Sequence, residues 1–319
     1  MLIDVILLIA GLVAIVLGAD WLVDGASAIA RKLKVSEFVI GLTIVGFGTS
    51  CPELVVSLTG ALAGNSDISI GNVIGSNIFN TMLILGITAL VMPVTITKSN
   101  KKRDIPITLL VTFLLVFCGM SHTLAGLGAG DGLSRIEGFV FLALFAIYIY
   151  SSFKNDEGID ESEVPKKNLS LAAAMLLTII GLAGLIIGGH FFVGSAVKVA
   201  HMLGVSDKFI AITLLAGGTS LPELAACVVA ATKKKGQLAL GNILGSNIFN
   251  ILLILGSSAA ISPLSFSEIN LVDVLTVVAS MILVWMSSYT FKKDRIDRYE
   301  GAILVLGFIA YYVWLFIKL

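Results

Sequence analysis

A succession of long apolar segments restricts the fold of this chain more than any other feature of its sequence. A helix needs about 20 mostly apolar residues to cross the hydrocarbon core of a bilayer. These segments are continuously apolar and do not alternate with polar residues, which favours helices over the strands of a membrane barrel. We therefore predict an all-α integral membrane protein with ten transmembrane helices. Their predicted ranges are 3–30, 38–62, 70–92, 105–122, 136–153, 169–200, 207–232, 238–261, 271–290 and 299–318.

The composition agrees with a membrane protein and excludes several other classes. Of the 319 residues, 57% are apolar and 13% are charged, whereas soluble domains carry about 25% charged residues. Lys and Arg together number 21, as do Asp and Glu, so the chain lacks the basic surface of a nucleic-acid-binding protein. The three cysteines form no paired spacing, and neither a disulfide framework nor a zinc site is predicted.

The basic residues are distributed unevenly between the two sides of the predicted membrane protein. Of the 21 Lys and Arg residues, 17 lie in the loops that follow the first, third, fifth, seventh and ninth spans. Cytoplasmic loops carry such an excess of positive charge. We therefore predict a multi-pass protein of the plasma membrane with both termini on the extracytoplasmic side. The acidic segment 154–168 is then a cytoplasmic linker too short for a folded domain.

An internal repeat with an offset of 170 residues divides the chain into two halves. The segment GNVIGSNIFN at 71–80 returns as GNILGSNIFN at 241–250, and GTSCPEL at 48–54 returns as GTSLPEL at 218–224. Each half, 1–153 and 169–319, holds five predicted spans, so the second half enters the membrane from the opposite side. Two inverted repeats are typical of transporters, which bind their substrate near the bilayer midplane between the repeats.

One carboxylate lies near the middle of the second span and another near the middle of the seventh, at Glu53 and Glu223. An ionisable group at this depth costs several kcal/mol unless it faces a cavity or a partner. Neither span has a Lys or Arg in its central turns, which indicates a bound cation or a proton as the missing counter-charge. Pro52 and Pro222 precede the carboxylates and remove a backbone hydrogen bond. We therefore predict two discontinuous helices at an ion site.

Neutral oxygen donors accompany both carboxylates. Small hydroxyl and amide side chains recur at matching positions of the two halves, namely Thr49, Ser50, Ser76, Asn80, Thr219, Ser220, Ser246 and Asn250. Carboxylate, hydroxyl, amide and carbonyl oxygens are the ligands of hard cations. Ca²⁺ takes six to eight of them, while Mg²⁺ gives up its water reluctantly. The pattern therefore predicts a site for Ca²⁺ or Na⁺.

These motifs resemble the cation/Ca²⁺ exchanger superfamily, specifically its prokaryotic Na⁺/Ca²⁺ exchanger branch. The two GTS-x-PE segments and the two GN-x-x-GSN-x-x-N segments look like that family's repeats, and the likeness covers all ten spans. The resemblance implies that Glu53 and Glu223 are central carboxylates shared between Ca²⁺ and Na⁺, and that the neutral donors above complete the sites. It adds the carbonyls of Gly46 and Ala216. It also implies that the first and sixth helices slide across the core to switch access.

The expected function is secondary antiport of Na⁺ against Ca²⁺ by alternating access. Many relatives carry Asp where this chain has Asn250, so H⁺/Ca²⁺ or other cation antiport on the same scaffold stays open, and a cation channel is a further alternative. No catalytic motif is present in the sequence, so we expect neither an enzyme nor a cofactor. The expected partners are the two ions and the lipid bilayer, not nucleic acid, and the expected state is a monomer.

Overall fold

The computed structural model describes residues 2–126, 130–156, 158, 169–204, 217–266, 269–290 and 294–318. Within these ranges the chain is almost entirely helical. The main helices are α1 Leu2–Leu33, α2 Glu37–Thr49, α3 Cys51–Leu62, α4 Ser66–Val91, α5 Ile105–Gly119, α6 Ser121–Ala125, α7 Arg135–Lys154, α8 Leu171–Met202, α9 Leu221–Thr232, α10 Gly236–Ile261, α11 Leu271–Ser287 and α12 Arg298–Lys318. The described strands have two residues each: β1 Val94–Thr95, β2 Gly132–Leu133, β3 Leu264–Ser265 and β4 Arg295–Ile296.

The all-helical membrane fold is confirmed, and helices lie at the ranges predicted for spans wherever the structure describes them. Six of the described helices are long and apolar enough to cross a membrane, or seven if α2 and α3 form one bent span. The helices α9 and α11 are apolar but shorter. The first part of the predicted seventh span, at 207–216, lies outside the described residues, as does most of the predicted linker. The ten-span count therefore stays a prediction.

The second predicted span is broken where the sequence places its proline. The axes of α2 and α3 differ by 50°, and Ser50 stands between the two helices with φ −84° and ψ 6°. Pro52 lies in the first turn of α3, where its missing N–H costs nothing. Ser220 has nearly the same backbone angles, φ −90° and ψ 8°, immediately before α9. The discontinuity predicted at Pro52 is confirmed.

The two longest described helices, α1 and α8, pack closely along glycines. A Cβ atom added to Gly18 would lie 2.8 Å from the carbonyl oxygen of Gly181 and from the backbone nitrogen of Leu185. One added to Gly181 would lie 2.5 Å from the backbone nitrogen of Leu22. Small residues allow such close contact between membrane helices, whose association depends on packing. The outer faces of both helices expose large apolar side chains, as expected for contact with lipid.

The most buried long helices are α4 and α10, which form the centre of the molecule. Gly241 of α10 has no room for a side chain, because an added Cβ would collide with the carbonyl oxygen of Phe38 on α2. Each central helix contains a π-helical turn, at Phe79–Ile84 in α4 and at Phe249–Leu255 in α10. Single π turns inside α-helices occur frequently at functional sites.

Short strand pairs join segments from the two halves. Strand β1 pairs antiparallel with β4, through Val94 and Ile296, while β2 pairs with β3, through Leu133 and Leu264. Thus each half contributes one strand to each pair. The 170-residue offset also relates α3 to α9, the start of α4 to that of α10, and β1 to β3.

An ionic contact connects α1 to the end of α9. The ammonium of Lys233 lies 2.7 Å from Asp20 Oδ1 and 2.8 Å from Asp24 Oδ1, and it donates to the Asp20 carbonyl oxygen at 3.0 Å. A second pair joins Lys235 to Glu37 at 3.0 Å. These contacts tie the basic segment after α9 to the first helices of the chain.

Candidate ion-binding site

Each of the two central carboxylates accepts a hydrogen bond from the other half of the chain. The Ser220 hydroxyl donates to Glu53 Oε1 at 3.0 Å, and the Ser50 hydroxyl donates to Glu223 Oε1 at 3.0 Å. The Ser76 hydroxyl lies 3.5 Å from Glu53 Oε1 and 3.3 Å from the Ser220 hydroxyl. The serine before α3 and the serine before α9 therefore meet at one place, and each donates to the carboxylate of the other half.

Both carboxylates are deeply buried, since Glu53 and Glu223 are each 1% exposed. They lie close enough for their charges to interact. In a low-dielectric interior such like charges repel strongly, and an unpaired buried charge is very costly. A cation held between them would remove both penalties. The electrostatics of this pair therefore favour binding of positive charge.

Five oxygen atoms of the predicted ligands are buried and accept no hydrogen bond within the part of the chain that the structure describes. They are Glu53 Oε2, Glu223 Oε2, Asn80 Oδ1, Asn250 Oδ1 and Ser246 Oγ. Leaving a buried polar atom unsatisfied costs about 1–3 kcal/mol, so five such atoms among the predicted ligands need an explanation. All five are hard oxygen donors, and ion coordination would satisfy them together.

The two threonines of the predicted ligand set lie beside the carboxylates. The Thr49 hydroxyl donates to the Val45 carbonyl oxygen at 3.0 Å and lies 3.5 Å from that of Gly46. Thr49 is also next to the Glu223 carboxylate, and Thr219 is next to that of Glu53. Ala216, the predicted partner of Gly46 in the second half, lies outside the described residues. The ligand assignments themselves stay predictions.

Two other asparagines of the repeats hold helices together. The Asn72 amide donates to the Glu53 carbonyl oxygen at 3.1 Å and to the Ser57 hydroxyl at 3.0 Å. In the second half, Asn242 Oδ1 lies 3.2 Å from the Thr49 hydroxyl, and Asn242 Nδ2 donates to Cys227 Sγ at 3.1 Å. The Asn72 bond holds the backbone of Glu53 to α4, and the Asn242 contact joins α10 to the end of α2.

Sequence reasoning missed a second layer of amides at the centre of the molecule. Asn250 Nδ2 donates to Asn77 Oδ1 at 2.9 Å, and Asn77 Nδ2 donates to the Asn247 carbonyl oxygen at 3.4 Å. Asn247 Nδ2 donates to the Thr81 hydroxyl at 2.7 Å. The sequence signal that could have identified Asn77 and Asn247 is the GSN triplet, which recurs in both repeats at the 170-residue offset.

The fold and the site together define a multi-pass membrane transport protein, and comparison with known proteins agrees. A family model described as "Sodium/calcium exchanger protein" matches residues 3–154 and 173–317. The protein CaxA of Alkalimonas amylolytica is 39% identical over 99% of both chains. The sodium/calcium exchanger MaX1 of Methanosarcina acetivorans is 35% identical over 98% of this chain and 99% of its own length.

Solved structures lead to the same family. A structure of the sodium–calcium exchanger NCX_Mj soaked with zero Na⁺ and Ca²⁺ superposes with a TM-score of 0.85 at 36% identity. The match covers 98% of this chain and 99% of that one. The chain therefore belongs to the sodium/calcium exchanger family. Its family and structural relatives are transporters rather than enzymes, as predicted.

Proposed function

We propose that this protein is a secondary antiporter that exchanges Na⁺ for Ca²⁺ across the membrane by alternating access. Family membership supports the ion pair, and the site supports the mechanism. The observation that carries the proposal is the cross-bonded carboxylate pair, in which Glu53 and Glu223 each keep one buried oxygen without a partner among the described residues. Two carboxylates neutralise one Ca²⁺, and the same oxygens suit Na⁺ when the divalent ion leaves.

The proposed ligands are the twelve residues predicted from the sequence. In addition to the two carboxylates, they are Gly46, Thr49, Ser50, Ser76, Asn80, Ala216, Thr219, Ser220, Ser246 and Asn250. Both halves supply donors, and the break at Ser50 and the turn at Ser220 allow the chain to present backbone oxygens next to side-chain oxygens. Because the halves of the site belong to different repeats, relative movement of the repeats can open it to either side.

Ca²⁺ uptake into proteoliposomes tests this function. The purified protein is reconstituted, and Ca²⁺ uptake is followed first with an outward Na⁺ gradient and then with a pH gradient in Na⁺-free buffer. We expect uptake with the Na⁺ gradient alone. Uptake driven only by the pH gradient would replace the proposal with H⁺/Ca²⁺ antiport, and Ca²⁺ current without a counter-ion would indicate a channel.

The proposed topology has ten spans in two inverted repeats, 1–153 and 169–319, joined by a cytoplasmic linker at 154–168. The 170-residue offset of α3 and α9, and the strand pairs between halves, support this division. With both termini outside the plasma membrane, the excess of basic loops faces the cytoplasm. Since one chain supplies both halves of the site, we propose that a monomer is sufficient for transport.

A tag accessibility experiment tests the orientation. An epitope fused after the last residue should be cleaved from intact spheroplasts by an external protease, whereas a tag inserted in the 154–168 linker should be protected. Protection of the C-terminal tag in intact spheroplasts, with cleavage after lysis, would contradict the proposed orientation.

A further inference from the structure

The side-chain amide of Asn250 can present either end to the site, and only one end can bind a cation. Its oxygen is a suitable ligand, while its NH₂ group would face the ion with two positive hydrogens. The two orientations occupy the same volume, so packing alone does not choose between them. The choice depends on the group behind the amide, which is Asn77 on α4, and this residue belongs to no predicted ligand set.

The orientation of Asn77 is itself fixed by its other partner. Its Nδ2 lies 3.4 Å from the carbonyl oxygen of Asn247, and a backbone carbonyl can only accept a hydrogen bond. Asn77 therefore directs its own Oδ1 towards Asn250, whose Nδ2 donates to it at 2.9 Å. Asn250 Oδ1 then points away from Asn77 and is one of the buried oxygens without a hydrogen-bond donor among the described residues.

Asn247, the equivalent of Asn77 in the second half, has a different hydrogen-bond acceptor. Asn247 donates its Nδ2 to the Thr81 hydroxyl at 2.7 Å. The position that matches Thr81 at the 170-residue offset is Ile251, which offers no hydroxyl to Asn77. The amide of Asn77 is thus directed to a backbone carbonyl instead. At the other end of the two amides, Asn77 Oδ1 accepts from Asn250, whereas Asn247 Oδ1 has no hydrogen-bond partner among the described residues.

We propose that Asn77 is a positioning residue that orients the Asn250 amide with its oxygen towards the ion. Turning Asn250 around would bring its oxygen against Asn77 Oδ1 and would place NH₂ in the site. Both changes are unfavourable, because two acceptors face each other and a ligand is lost. This inference rests on the proposed function, since it concerns the affinity of the same ion site.

The test uses Asn77→Ser, whose side chain is small enough to fit and too short to reach Asn250. Na⁺-driven Ca²⁺ uptake by proteoliposomes is measured over a series of Ca²⁺ concentrations. We expect the KM for Ca²⁺ to rise about tenfold while kcat changes little, because a buried group loses its partner. A lower kcat with unchanged KM would show that Asn77 has only a structural role and would overturn the inference.

A double-mutant cycle tests whether Asn77 affects the KM for Ca²⁺ through Asn250 or independently of it. If Asn77 acts through Asn250, Asn77→Ser should have little further effect on KM in an Asn250→Ser background, since coupled residues are not additive. An equal increase of KM in both backgrounds would overturn the inference. Thr88→Val is the matched control, because Thr88 is buried in the same helix and its hydroxyl donates to the Ile84 carbonyl oxygen at 2.6 Å. We expect its KM to stay unchanged.

Failure of the function and failure of the positioning role give different results. If the unmodified protein shows no Na⁺-driven Ca²⁺ uptake, the proposed function is wrong and the inference loses its premise. If the unmodified protein transports normally and Asn77→Ser has the same KM, the inference alone is wrong.

Discussion

The substitution Glu53→Gln tests the central claim that two buried carboxylates hold the transported ion. Gln has almost the same shape as Glu and differs mainly in charge. The Ser220 hydroxyl, 3.0 Å from Glu53 Oε1, can donate to the Gln oxygen as it does to the carboxylate. The variant therefore removes one negative charge and leaves the hydrogen-bonded frame in place.

The expected loss follows from the electrostatics of the buried site. At an effective dielectric constant of about 20, two unit charges about 4 Å apart interact by about 4 kcal/mol, so a divalent cation and one carboxylate interact by about 8 kcal/mol. Desolvation of the ion and the carboxylate offsets much of this attraction. If a quarter remains, about 2 kcal/mol, Ca²⁺ affinity falls about 30-fold, because about 1.4 kcal/mol corresponds to a factor of ten. Na⁺ carries half the charge and should lose less.

The assay is the initial rate of Na⁺-driven Ca²⁺ uptake by proteoliposomes, measured against the concentrations of Ca²⁺ and of Na⁺ separately. We expect the KM for Ca²⁺ to rise at least about 30-fold, because the ion loses about 2 kcal/mol of attraction to the site. The KM for Na⁺ should rise by a smaller factor. Glu137→Gln is the control, because Glu137 caps α7 through Ser134 at its exposed end and Gln can accept the same hydrogen bond. A Glu53→Gln variant with unchanged KM values for both ions would refute the role of this carboxylate.

Three other substitutions test separate parts of the structure. Ser220→Ala removes a neutral hydroxyl that donates to Glu53 and is a proposed ligand, so the KM for Ca²⁺ should rise about tenfold, less than for loss of the charge. An equal or larger effect in the same uptake assay would contradict this order. Gly181→Leu places a side chain where a Cβ already lies 2.5 Å from the α1 backbone, and it should lower the Tm in detergent by several degrees, whereas Gly194→Ala in the same helix should not. Lys233→Met removes the ion pairs to the two aspartates of α1, and the resulting fall in Tm should be small and should shrink as salt is added; a fall that is independent of salt would show that packing, not charge, is lost.

The parts of the fold that depend on local sequence could be predicted. Apolar runs of membrane length locate the helices, and Pro52 locates the break in the second span, because both signals act within one or two turns of the chain. The repeat placed Glu53 and Glu223 at equivalent positions, and the structure brings both to one site. The pairing of each carboxylate with a serine of the other half follows from that duplication.

The π-helical turns and the ion pairs could not be predicted from local sequence. Side chains four residues apart share a face only in a regular α-helix, whereas a π turn begins at Phe79, one residue before Asn80, and shifts the residues that follow. The partner of Asp20 and Asp24 is Lys233, more than 200 positions away in the sequence. No local pattern connects these residues, and their contact depends on how α1 crosses the end of α9.

The asparagines of the GSN triplets show where sequence identity between repeats stops being informative. Asn77 and Asn247 occupy equivalent positions, so the repeat correctly predicts that both lie at the centre. An amide has a donor end and an acceptor end, however, and its orientation depends on groups from other helices. Thr81 accepts from Asn247, while Ile251 at the matching position leaves Asn77 to a backbone carbonyl. Both amides therefore donate through Nδ2 but to different groups, and only Asn77 Oδ1 accepts a hydrogen bond from another side chain among the described residues.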